Sequence, residues 1–205
     1  TTEGGLNLKK NCRVFGLDIT SPRDETYFEG FIECNLDEGF PGQAPRNADT
    51  VLMLDVLEHL SSPENFLEEL REHFKFQADV VIHASTGNIA FAITRLLHML
   101  GMFNYGKKGI LDLTHKRLFT KKTFINLFEQ NGYVVRSVEP VPAPWELVFG
   151  SNPFGRCLTK INTFLCRVWP SMFAYQFFLT VVITPHLDRI LQATQEASKR
   201  KSSLS

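Results

Sequence analysis

His115 lies in the stretch Gly109-Ile110-Leu111-Asp112-Leu113-Thr114-His115-Lys116-Arg117-Leu118-Phe119-Thr120, close before a helix. An imidazole there titrates near neutral pH and can take a proton from an acceptor hydroxyl; it can equally be a loop histidine bonded to backbone. Asp55, Glu58 and His59 follow the apolar run Thr50-Val51-Leu52-Met53-Leu54, just past the carboxyl end of a strand. Open α/β sheets bind ligands at that edge. Asp55 also reads as a helix-dipole or loop residue, and a histidine at a helix start, like His59, is more often structural than catalytic. Asp18 closes another apolar run. An ionised carboxylate there can accept two hydrogen bonds and suits paired ribose hydroxyls; a solvated strand-end acid is the alternative. Asn35 follows a short strand, where its amide can meet an adenine edge or simply form a turn. Gly4 and Gly5 stand ahead of Asp18 but complete no G-x-G-x-x-G fingerprint.

These residues need elements to hold them. Buried parallel strands read as continuous apolar runs, which predicts strands over residues 12–18, 50–54 and 78–84. A short edge strand fits residues 31–34, and residues 133–141 form another. Residues 172–184, aromatic and β-branched, read as one long strand. Helices are expected over residues 63–74, about 89–100, from the Thr120 cap to Gly132, and 155–169. Ser62 is placed to cap the first of these, with Pro63 at its first position and Glu64 and Glu68 near its positive end. Residues 6–11 suit one or two helical turns. Residues 19–29 are too short for a crossover helix, 37–47 form a Gly- and Pro-containing loop, and 85–88 a turn. Residues 103–117 make a long loop, a type that in compact domains is commonly functional. The alternation predicts an α/β fold: a Rossmann-like, doubly wound, mostly parallel sheet in a three-layer α/β/α domain, with an antiparallel strand at the end. Residues 1–191 form that domain and 192–205 a polar, disordered tail.

Composition narrows the classes further. A chain of 205 residues, 43% hydrophobic, suits one domain with a substantial core. Its 22 basic and 22 acidic residues give no electrostatic case for nucleic acid. Four cysteines without a CxxC pair argue against zinc and for a reduced, cytoplasmic protein. The start has neither the charge nor the apolar run of a signal peptide. The most apolar window, residues 164–184, is interrupted by Arg167 and Pro170, so no transmembrane segment is expected. The Phe-rich segment 144–178 can cover an apolar acceptor, touch a membrane surface or form a homodimer, with core packing the default.

Together these pieces resemble a class I S-adenosylmethionine-dependent methyltransferase. The matching residues are Val14-Phe15-Gly16-Leu17-Asp18-Ile19, Cys34-Asn35-Leu36, Asp49-Thr50-Val51-Leu52-Met53-Leu54-Asp55-Val56-Leu57-Glu58-His59-Leu60 and Val80-Val81-Ile82-His83. The likeness is nearest to bacterial small-molecule members, the type 11, 12 and 23 groups. These carry a Gly-Ile-Leu-Asp-x-Thr-His-x-Arg-x-Phe-Thr segment and a late Phe-Ala-Tyr-Gln-Phe strand, here residues 109–120 and 173–177. The resemblance covers nearly all of the chain.

It implies a seven-strand sheet ordered three-two-one-four-five-seven-six, the last strand antiparallel, and S-adenosylmethionine as cofactor. It places Gly4 and Gly5 in the tail of the Gly-rich loop, Asp18 at the ribose, and Asn35 and Leu36 beside the adenine. Asp55 and Val56 fall near the adenosyl and methionine moieties. His59, Arg95, His115 and Arg117 then face a small-molecule or lipid-like acceptor, with His115, or else His59, as the base. The sequence departs from the family in two places. The family's first strand and most of its Asp-x-Gly-x-Gly-x-Gly loop are absent, which implies a gap in the sheet, and Asn35 stands where many members have Asp. Two functions follow: methyl transfer to oxygen, or a non-catalytic binding module that keeps the fold without the cofactor loop. A nicotinamide-dependent reductase shares the acid after a strand and accounts for none of the other pieces.

Overall fold

The computed structural model describes residues 12–183 apart from Arg23, Glu25, Ala78 and Ser151. Gly4, Gly5, the turns expected over residues 6–11 and the tail from residue 192 lie outside the described residues. In chain order the elements are β1 (Phe15–Asp18), β2 (Gly30–Glu33), β3 (Thr50–Leu54), α1 (Pro63–His73), β4 (Val81–Gly87) and α2 (Ala92–Met99). There follow α3 (Lys121–Gln130), β5 (Tyr133–Val141), α4 (Trp145–Phe149), α5 (Pro153–Val168), α6 (Pro170–Phe173) and β6 (Gln176–Ile183).

β1 and β2 form a parallel pair; β3, β4, β6 and β5, in that order, form a second sheet. β3 runs parallel to β4, and β6 runs antiparallel to both β4 and β5. Three strands of the larger sheet therefore share a direction and β6 alone is reversed. The adjacency is that of the family order with its first strand removed: β1 and β3, which that strand separates, are not hydrogen-bonded to each other. The mostly parallel Rossmann-like architecture is present, and among the described residues so is the gap expected from the sequence.

The core explains why the larger sheet closes. Inward positions of β6 alternate, and Phe177, Leu179 and Val181 are fully buried. α1 presents Phe66, Leu67 and Leu70, and α3 presents Phe124, Leu127 and Phe128, to the same cluster. Each such side chain contributes about 1.5–3 kcal/mol on burial. The Tyr133 hydroxyl donates to the Leu67 carbonyl at 2.7 Å, fastening β5 to α1. Asn88, wholly buried, donates from Nδ2 to the carbonyls of Ala174 (2.8 Å) and Ser171 (3.2 Å), so the end of β4 is pinned to the corner before β6.

Several boundaries differ from expectation. The strand predicted over residues 172–184 is shorter: Pro170 opens the helical turn α6, and pairing starts only at Gln176. The turn assigned to residues 85–88 is strand as far as Gly87, because β6 continues the ladder opposite Ser85, Thr86 and Gly87. Ser62 precedes α1, but its side chain makes no capping bond. Thr120 does cap α3, in a box with Thr123. α4 is a short additional helix between Pro144 and Pro153. No helix among the described residues is long and apolar enough to cross a membrane.

Candidate active site

The carboxyl ends of both sheets meet on one edge. Asp37, after β2, accepts the Ser61 N–H at 2.7 Å and pairs with Lys116 from the long loop. Beyond β3 the chain turns sharply at Asp55, which adopts a left-handed backbone (φ 54°). A non-glycine residue there is strained, though Asp tolerates it better than most. The strain is held by neighbours on two adjoining strands. Asp55 N–H donates to the Ser85 carbonyl (3.2 Å), and its carboxylate accepts from Ser85 Oγ (2.8 Å) and Gln176 Nε2 (3.0 and 3.1 Å).

The long loop is fixed above this turn. Lys116 and Arg117 both donate their N–H groups to the Glu58 carbonyl, at 2.8 and 3.0 Å. Gly109 is required where the loop approaches β6: at φ +95° an added Cβ lies 3.1 Å from the Tyr175 hydroxyl. The docking brings His115 against His59, ring centroids 4.8 Å apart and the planes at 74°. His115 Nδ1 faces the Ile110 carbonyl at 3.0 Å and His59 Nδ1 faces the Thr114 carbonyl at 3.3 Å. A carbonyl only accepts, so Nδ1 is the donor in both rings, and in the neutral ring the lone pair falls on Nε2. His115 is thus a loop histidine bonded to backbone, and that bond leaves its other nitrogen able to act as a base.

Glu58 sits beneath the pair, only 2% exposed. Burial pushes its carboxyl up to about 7; Asp55 adds to the rise, while its own backbone N–H, His115 and the Thr86 hydroxyl oppose it. Its Oε2 has no hydrogen-bond partner among the described residues. Asp112 lies on the other side, held below the usual carboxylate range by the Thr114 hydroxyl and N–H, with smaller effects of His115 and His59. Burial and Asp55 raise the Tyr175 hydroxyl, against a bond with the Ile110 backbone. Among the described residues no group of three or more His, Cys, Asp or Glu is arranged to hold a metal ion.

The remaining candidates are dispersed. The carboxylate of Asp18, exposed at the end of β1, accepts only the Ile19 N–H (2.6 Å) among the described hydrogen bonds, so it keeps acceptor capacity for two ribose hydroxyls. Asn35 caps a turn of 3-10 helix (Leu36–Glu38), accepting from Asp37 N–H and donating to Glu38, both at 3.1 Å. Its amide is engaged locally. Leu36 and Val56 are half-buried against the main core. Arg117 pairs with Glu64 at 2.7 Å, at the start of α1. Arg95 donates Nε to the carbonyl of Ala90, two residues before its own helix begins, at 2.7 Å, and makes no described contact with the histidine pair. Sequence reasoning passed over Ser85, Gln176 and Tyr175 as site residues. The Tyr-Gln pair within the late aromatic motif was the available signal.

Comparison with known proteins places this geometry. A family model described as a methyltransferase domain matches residues 6–138. No curated protein matches. The chain is similar to a SAM-dependent methyltransferase from Archaeoglobus fulgidus, with 16% identity and a TM-score of 0.51 over 83% of this chain and 75% of that one. It is similar in fold to the small RNA methyltransferase HEN1, with 17% identity and a TM-score of 0.51 over 82% of this chain but 20% of that one. A 1,6-didemethyltoxoflavin-N1-methyltransferase from Burkholderia thailandensis, solved with S-adenosylhomocysteine, aligns at 14% identity and a TM-score of 0.49 over 84% of this chain and 61% of that one. The family match spans more than half of the sequence, and the chain belongs to the methyltransferase domain family.

Proposed function

We propose that this protein transfers the methyl group of S-adenosylmethionine to a hydroxyl of a small-molecule or lipid-like acceptor. The observation that carries the reading is the His59–His115 pair at the carboxyl end of β3, with each Nδ1 on a backbone carbonyl and Nε2 left as a proton acceptor. Bound S-adenosylmethionine supplies an already activated methyl group, so the chain's own work is to align the acceptor, exclude water and receive a proton.

In this reading Asp18 accepts the ribose hydroxyls, Gly4 and Gly5 approach the methionine end, and Asn35 and Leu36 flank the adenine. Asp55 and Val56 form the wall between cofactor and acceptor. His115 Nε2 takes the acceptor proton, with His59 as the alternate base. Arg117 and Arg95 border the acceptor side. Calorimetric titration with S-adenosylhomocysteine tests the cofactor half; saturable heat with a thermal shift is expected. No heat and no shift at millimolar ligand overturns the reading in favour of a non-catalytic module.

A further inference from the structure

The outer face of α4 and α5 lies beyond the residues matched by the family model, and nothing in the methyl-transfer reading uses it. α5 is fixed to the body by its inner side. Asn162 accepts the Ala143 N–H at 2.7 Å and donates to the Phe173 carbonyl at 2.9 Å, and buried Cys166 donates to the same carbonyl at 3.0 Å. The outer side is apolar and basic. Phe154, Ile161, Phe164 and Val168 are all exposed, Phe164 at 64%. At 100° per residue they fall in one arc about 80° wide. Arg156, Lys160 and Arg167, also exposed, fill an adjoining arc about 40° wide. Trp169 ends the helix in the open, and α4, in ring contact through Phe149 and Phe154, carries Leu147 at 86% exposure.

The segregation has a sign. No acidic residue occurs in α5, although acids and bases balance over the whole chain at 22 each. We propose that the α4–α5 face docks on an anionic lipid surface, with the apolar strip at the boundary of headgroups and acyl chains and Arg156, Lys160 and Arg167 on lipid phosphates. A helix lying in an interface needs these parts: a continuous apolar strip, bases beside it whose stems follow the apolar surface, and an aromatic anchor at the water boundary. A shallow groove lined by Pro153, Arg156, Cys157 and Lys160 gives one phosphate a seat between two cations. A second copy of the chain is a poorer occupant. It offers the bases no acid from α5, and antiparallel two-fold pairing sets the two basic strips side by side.

The test is flotation of the full chain with vesicles of phosphatidylcholine alone and of a two-to-one mixture with phosphatidylglycerol. No cofactor is present, so the outcome is independent of the methyl-transfer reading. Strong binding to the mixed vesicles, little to the neutral ones, and release by salt are expected. The triple variant Arg156→Gln, Lys160→Gln, Arg167→Gln should lower the partition coefficient about a hundredfold. Phe164→Ser should lower it separately, and since all four side chains are exposed both variants should keep the native circular dichroism. Absence of binding to either vesicle, or equal binding to both that the triple variant leaves unchanged, overturns the proposal. So does a dimer in lipid-free solution that Phe164→Ser dissociates, which assigns the face to a second copy.

Discussion

Asp18 and Asp55 each stand at or just beyond the carboxyl end of a parallel strand, yet their surroundings differ. Asp55 is bonded to Ser85 on β4 and Gln176 on β6, strands that lie beside β3 and beyond it. The Asp18 carboxylate is bonded only to the N–H of the next residue, and among the described residues β1 pairs only with β2. An acid over the larger sheet can be cross-linked by adjoining strands and made to hold a strained turn, which costs on the order of 1–3 kcal/mol in a left-handed backbone. An acid on a two-stranded ribbon has no such partners and keeps its acceptor capacity for a ligand. The wall around Asp55, Glu58, His59 and His115 is therefore built by the fold itself, whereas the wall around Asp18 depends more on what binds there.

The largest effect should come from the built wall. His115→Ala is expected to cut turnover by about 10²–10⁴-fold while S-adenosylhomocysteine affinity stays unchanged. Turnover equal to wild type removes the proton-acceptor role and leaves His115 as a loop fastener. The next effect is on stability against pH. Glu58 titrates at about 7 in the fold against an ordinary value of 4.5. A carboxyl raised in the folded state is fully favourable below the unfolded value, where both states hold the proton. The contribution is then lost as pH rises through the folded value. Wild type should lose about 3 kcal/mol relative to Glu58→Gln between about pH 4 and pH 8. Parallel curves from denaturant melts across that range rule out the buried acid as the cause.

What could be read from the chain follows the range of the interactions involved. β5 was bounded to the residue because Gly132, a left-handed glycine after α3, precedes it and Pro142 follows it. β3, an apolar run ended by an acid, was equally plain. The Ser62 cap failed because capping depends on backbone geometry as well as residue type: Ser62 sits at φ −135°, ψ 78° and its hydroxyl makes no bond to α1. Glu58 carried no local sign of its burial, and the docking of residues 116 and 117 on its carbonyl joins segments more than fifty residues apart. Ser85 reaches Asp55 because β4 lies parallel beside β3, with Leu54 opposite Ser85, and Gln176 reaches it because β6 lies antiparallel beside β4, with Gly87 opposite Gln176. Family likeness supplied that strand order, and no periodicity could have.

A matched pair of substitutions sharpens the contrast between the two acids. Asp55→Ala removes the bonds from Ser85 and Gln176 and leaves a Cβ-bearing residue in the left-handed turn, so a loss of about 2 kcal/mol is expected after allowing for partial solvent screening. Loop 109–120 should loosen with it, seen as faster amide exchange at Lys116 and Arg117, whose N–H groups rest on the Glu58 carbonyl. Asp18→Ala is the smallest change to the fold. The Asp18 side chain is exposed and its one described bond is to its neighbour, so stability should shift by no more than about 0.5 kcal/mol. Its effect should fall on the ligand instead: losing charge-assisted bonds to the ribose hydroxyls should weaken S-adenosylhomocysteine binding by about tenfold or more. If Asp18→Ala destabilises as much as Asp55→Ala, the two-stranded ribbon is joined to the body more firmly than its hydrogen bonds indicate. If it leaves binding unchanged, the ribose lies elsewhere.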